Sequence, residues 1–199
     1  MTLETHGRWP WVAAGLVAPA WSSVAARRDE LLEDGLWVAG LALPILVSHQ
    51  SEEWVWPGGF LPFCNQAAGQ RPARLALDRT RWLPRERHRR PISAVAGLVL
   101  WRRTPVVVAA VLWIEAGNAL MHTAVAIRER RYNPGVVTVA LLMAPHAAAG
   151  GRWLARSGRL SRRQGLLASA AGIAFAGLPL AMKLRMRRAS RAIGPPQHR

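Results

Sequence analysis

His49-Gln50-Ser51-Glu52-Glu53 stands directly after the apolar run Leu36 to Val47, and the fold turns on whether one helix carries both. If it does, His49, Glu52 and Glu53 occupy positions i, i+3 and i+4, neighbours on one helical face with Cβ atoms roughly 5–6 Å apart. One imidazole and two carboxylates at the mouth of a helix apolar enough for a membrane are costly, and ionisable groups in such places mark function. The stretch therefore predicts an all-α, multi-spanning transmembrane helix bundle, located in the cell membrane and built around a polar His/Glu site.

The composition agrees. Of the 199 residues 51% are hydrophobic, yet the formal net charge is +16, so apolar and basic residues must be segregated along the chain. Between Glu86 and Glu129 the one acidic residue is Glu115, while arginines cluster at Arg71 to Arg90, Arg128 to Arg131, Arg152 to Arg163 and Arg185 to Arg191. Apolar blocks separated by arginine-rich connections predict contact with anionic lipid headgroups. They argue against nucleic acid as a partner, because the charge falls between apolar spans and not on one soluble face. Cys64 is the single cysteine, which excludes an intrachain disulfide and a thiolate metal cluster.

Read in order, residues 1–30 form an N-terminal leader. Its apolar part, Trp9 to Ala26, is broken by Pro10 and Pro19 and reads either as an extra membrane-touching segment or as a loosely structured stretch. Residues 31–184 form one transmembrane domain with a basic loop at 66–91, and residues 185–199 a basic, disordered tail. Acidic Asp29, Glu30, Glu33 and Asp34 suit the first turn of a helix. Leu36 to Val47 reaches spanning length only when extended back to Leu31 and forward to Trp54, with a kink at Pro44. Trp54 to Phe60, with Pro57, Gly58 and Gly59, ends that helix.

Three further spans follow: Val106 to Ile127, Val136 to Gly150 and Leu166 to Met182. Asn133 is the expected N-cap and Pro134 the expected first residue of the helix that begins there. Ile92 to Trp101 is a fifth candidate, roughly 15 Å long as a helix and hence half a membrane, so it would be short or re-entrant. Arginine and lysine are spread nearly evenly over the two sides and fix no orientation. Spans rich in alanine and glycine allow a homo-oligomer.

Glu115, Asn118 and His122 recur at i, i+3 and i+7 on the longest span, a polar stripe on an otherwise apolar helix. His49 lies about 20 Å along its helix from Leu36 and His122 about 24 Å along its own from Val106. The two histidines are level only if those helices run parallel. Glu115, near mid-span, must be protonated or paired, and Arg102 and Arg103 are too distant to pair with it.

Taken together, His49 to Glu53, Asn118 with His122, and Arg131-Tyr132-Asn133-Pro134-Gly135 with Thr138 resemble the HXXEE-motif family of uncharacterised bacterial integral membrane proteins. Trp56-Pro57-Gly58-Gly59-Phe60 and Asn65 look like the subset in which a Pro-Gly-Gly-Phe turn follows the motif. The resemblance covers Leu36 to Pro145. It implies a multi-spanning protein without an established activity, with a further membrane helix between the two histidine motifs. Leu75 to Trp101, basic and poor in apolar residues, departs from that pattern.

These residues carry three readings. In the first, His49, Glu53 and His122 hold a divalent metal, zinc or iron, since imidazole with carboxylate suits both. Glu52 would then be a second carboxylate ligand or general base, and Asn118 would orient a ligand or bind a small-molecule or lipid-like substrate in hydrolase or oxidoreductase chemistry. In the second, the same groups form a hydrogen-bond network that fixes packing. In the third, the chain is a small proton or cation carrier using Glu52, Glu53 and Glu115. A non-catalytic membrane partner acting through the loop Arg71 to Arg90 is a further alternative.

Overall fold

A computed structural model describes residues 9–33, 35–60, 62–63 and 105–174, and every regular element among them is a helix. In chain order these are α1 (Trp9–Ala26), α2 (Arg28–Glu33), α3 (Trp37–Gly40), α4 (Ala42–Trp54) and α5 (Pro105–Glu129). Then come α6, composed of Val136–Thr138, a π-helical turn Val139–Met143 and Ala144–Ser157, and α7, helical over residues 162–174. Ile92 to Trp101 and the whole basic loop at 66–91 lie outside the described residues, as does Leu166 to Met182 beyond residue 174.

The helix expected over Leu31 to Trp54 is divided into three. Asp29 and Glu30 occupy the first turn of α2, which stops at Glu33. Gly35 then adopts a left-handed conformation, φ 68°, against the indole of Trp153. The second break, at Leu41, lies one turn before Pro44, whose missing N–H cannot bond the Gly40 carbonyl. α4 ends as expected: Val55 and Trp56 N–H both bond Ser51 O at 2.9 Å, and Gly58 and Gly59 take positive φ.

Side-chain pairings fix the directions of the helices. The Trp21 indole N–H donates to Ser48 Oγ at 3.0 Å and Leu31 rests on Gly40, so α1 and α2 fold back antiparallel along α3 and α4. Val38 is level with Glu115 through His146, and His49 is level with His122, so α4 and α5 run parallel. α6 returns between them, with Gly135 beside both histidines and Gly150 against Val38 and Leu112.

Apolar and polar layers alternate along the bundle. At one end Val38, Val108, Ala109, Leu112, Leu154 and Ala168 pack together. Glu115 and His146 follow, then an apolar layer of Ile45, Ala119, Val139 and Met143, then the histidine site. The polar stripe of α5 thus faces inward, with Glu115 and His122 both buried. α7 is held by small residues: Ala168 is buried, and Gly172 sits so close to Trp113 that a Cβ there would collide with it.

The π-turn has a mechanical role. The Ala144 N–H bonds Val139 O, five residues back, so this turn holds one residue more than an α-turn. Eight residues from Thr138 to His146 therefore behave as seven, two turns on one face, and both side chains point into the bundle. Deleting Leu141, 69% exposed on this turn, is expected to leave stability unchanged within about 0.5 kcal/mol. Deleting Leu120 of α5, 74% exposed, would swing His122 by about 100° and is expected to unfold the protein. Melting curves of the two deletions in detergent check this; equal damage would refute it.

Candidate metal centre

α4 presents His49 and Glu53 one turn apart, and α5 presents His122 opposite them. All three side chains are buried, and one ligand atom from each lies within 4.8 Å of the others. The Nε2 atoms of His49 and His122 each stand 3.4 Å from the same atom, Glu53 Oε1. That is the spacing of two ligands bound about 2.1 Å from a common tetrahedral centre. Neither Nε2 has a hydrogen-bond partner among the described residues. A buried imidazole nitrogen left so costs about 1–3 kcal/mol, which a bound cation would remove. The donor set fits a divalent metal.

The surrounding contacts hold these groups in place. Gln50 Nε2 donates to Glu53 Oε2 at 2.9 Å, leaving Oε1 for the histidines. His49 Nδ1 is 2.9 Å from Thr138 Oγ1, and the Thr138 hydroxyl donates to Gly135 O at 3.1 Å. Asn133 Nδ2 donates to the His122 carbonyl at 3.0 Å, tying the next turn to α5. The two imidazoles meet edge to face, and Phe60 stacks on His122 from the turn after α4.

Asn133 does not cap α6, contrary to the N-cap expectation. Val136 N–H bonds Asn133 O at 2.9 Å, and Gly135 has φ 96° and ψ −11°. Pro134 and Gly135 are the central residues of a type II turn, which requires positive φ at its third position. The exposed amides at the start of α6 are met instead by Glu52, which accepts from Val137 N at 3.0 Å and from Thr138 N at 2.7 Å. A carboxylate suits the positive end of a helix. Tyr132 OH donates to Glu52 Oε1 at 2.8 Å. Burial, and after it the hydrogen bond to Glu52 and that group's charge, push the Tyr132 phenol above its ordinary range, so it remains a donor.

Glu52 therefore has both oxygens engaged away from the histidines. Asn118 is half-buried one turn before His122 and makes no side-chain hydrogen bond among the described residues. Glu115 is paired: its Oε2 lies 2.6 Å from His146 Nδ1, while His146 Nε2 donates to Val38 O at 3.1 Å. Of the groups that sequence reasoning passed over, Gln50 had a signal in its i, i+3 spacing to Glu53. Gly135 and Thr138 had none beyond their place in the Tyr132-Asn133-Pro134-Gly135 motif.

Residues 40–149, more than half of the chain, match the model of a family described as a protein of unknown function with HXXEE motif. The chain belongs to the HXXEE family. The motif that gives HXXEE its name is His49-Gln50-Ser51-Glu52-Glu53. No curated protein and no solved structure matches this HXXEE chain. In it the last glutamate of the motif turns to the histidines and the first to the start of α6.

Among the described residues of this HXXEE protein, α5 is the one helix both long and apolar enough to cross a membrane. A buried helix of a soluble core meets the same criterion.

Proposed function

We propose that this HXXEE protein is a multi-pass membrane protein in which His49, Glu53 and His122 bind a divalent metal, zinc or iron. The metal would serve hydrolase or oxidoreductase chemistry on a small or lipid-like substrate. One contrast carries the reading. The Glu115–His146 pair has both ring nitrogens of its histidine partnered, one by carboxylate and one by carbonyl, and forms a closed polar network. His49 and His122, equally buried, aim at one carboxylate oxygen Nε2 atoms that make no hydrogen bond among the described residues. A packing network would satisfy those atoms; a metal site leaves them for the ion.

Zinc with two histidines and a glutamate keeps an open position for water, and iron(II) with two histidines and a carboxylate keeps several. When bound, such an ion polarises an oxygen of the substrate or activates a water. Gln50 holds Glu53 to one oxygen and Phe60 walls the site beside His122, and Asn118, one turn before His122, would contact a substrate or orient a ligand. Glu52 acts on the frame by fixing the start of α6.

The outer surface supports the membrane part. Trp113, Leu120 and Ile127 on α5 and Leu166, Leu167 and Ile173 on α7 are exposed apolar residues. Among the described residues α7 is covered only along its small-residue edge, an arrangement suited to hydrocarbon. The arginine-rich connections would meet anionic headgroups.

Metal analysis of detergent-purified wild type, His49→Ala and His122→Ala tests the reading. About one equivalent in the wild type, lost in both variants, is expected. Folded wild-type protein that holds no metal and cannot be loaded would overturn it.

A further inference from the structure

We infer that Thr138 is a positioning residue that fixes His49 as the Nδ1–H tautomer, turning the Nε2 lone pair toward the ligand side. The inference rests on the metal reading of this site and adds to it how the ligand atom is chosen.

A hydroxyl has one proton to donate, and that of Thr138 goes to Gly135 O at 3.1 Å. Its oxygen is then an acceptor toward His49 Nδ1 at 2.9 Å, which must carry the hydrogen. The opposite tautomer would place a lone pair against that oxygen. The hydroxyl could match it only by leaving Gly135 O.

Thr138 is itself held. Its own amide and that of Val137 are bound by the two oxygens of Glu52, and Tyr132 OH secures the same carboxylate. Gly135 is buried against both imidazole rings, so its carbonyl belongs to the same rigid turn. Glu53 Oε2 is meanwhile taken by Gln50, and Nε2 of His49 stands 3.4 Å from Oε1 without a hydrogen bond. The Thr138 contact places the proton on Nδ1, and the lone pair this leaves on Nε2 faces Glu53 Oε1 across the position a cation would fill. The two adjacent glutamates of the motif thus divide the work, Glu53 facing the ligand position and Glu52 aiming the residue that sets His49.

Ligating histidines are commonly oriented in this way through their second nitrogen, and losing that partner weakens metal binding about 10–100-fold. The test uses full-length wild type, Thr138→Val and Thr138→Ser in detergent, with Thr138→Ala as substitute where valine does not fit. Long-range nitrogen–proton NMR of metal-free, histidine-labelled protein reads the tautomer, and cobalt(II) titration reads affinity. Wild type and Thr138→Ser are expected to show His49 as Nδ1–H with equal cobalt affinity. Thr138→Val is expected to lose the fixed tautomer and to bind cobalt about 10–100-fold more weakly. A Thr138→Val protein with unchanged tautomer and affinity, or a wild type with the hydrogen on Nε2, overturns the inference. Wild type with the hydrogen on Nδ1 and no cobalt uptake would overturn the metal reading and leave the role of Thr138 standing.

Discussion

Gly135→Ala is expected to abolish metal loading and to lower stability by about 2–5 kcal/mol, the sum of two costs. A Cβ at a left-handed position costs about 1–2 kcal/mol. Here the same Cβ would stand 2.6 Å from His49 Cε1 and 2.8 Å from His122 Cε1, so both rings must move, an overpacking cost of about 1–3 kcal/mol. The rings that move are the proposed ligands, which is why binding should fail before folding does. Gly59 provides the control: its φ of 90° is similar, but nothing lies within 4 Å of the Cβ position. Gly59→Ala should lose about 1–2 kcal/mol and keep its metal. Melting curves and metal analysis of the two variants side by side decide the matter; equivalent behaviour would mean that Gly135 does not shape the site.

The second large effect is expected at the other polar layer. Glu115→Ala removes one partner of a buried, hydrogen-bonded pair and leaves His146 Nδ1 unsatisfied in an apolar interior, at a cost of about 3–5 kcal/mol. Glu115→Gln is expected to cost far less, since the amide still offers a partner to His146 while His146 Nε2 keeps Val38 O. Metal content should be unchanged in Glu115→Gln. A carrier that relays protons through Glu115 would behave differently, losing pH-dependent flux in proteoliposomes with the glutamine variant. Chemical denaturation of both variants checks the structural expectation, which a Glu115→Ala protein as stable as wild type would contradict.

The sequence made the core of this site legible because the clustered residues follow helical arithmetic. His49 and Glu53 are one turn apart, and the condition that His122 be level with them only if α4 and α5 run parallel is met. The Glu115–His146 pair also has a partial signal in the sequence. Glu115 lies 14 positions before the end of α5 and His146 ten after the start of α6, so antiparallel helices bring the two to neighbouring levels. What the sequence hid depends on contacts between distant segments. No local pattern says that Glu52 will meet amides 85 and 86 positions later. The Asn-Pro signal for a capped helix was outweighed by the neighbouring glycine, whose positive φ turned the stretch into a β-turn. The division of α3 from α4 follows from Pro44 itself and was anticipated as a kink, but the left-handed Gly35 was not.

Chain order gives the cover of the site a kinetic meaning. His49, Glu53 and His122 all precede Arg130, so a nascent chain that has emerged that far already carries every proposed ligand, whereas Gly135 and Thr138 come afterwards. Capture would precede closure, and the first turn of α6 would then seal the ion by docking on Glu52. Release would run in reverse. The residence time of a bound ion would then depend on the contacts of this turn with Glu52, His49 and the His122 carbonyl as well as on the three ligand bonds.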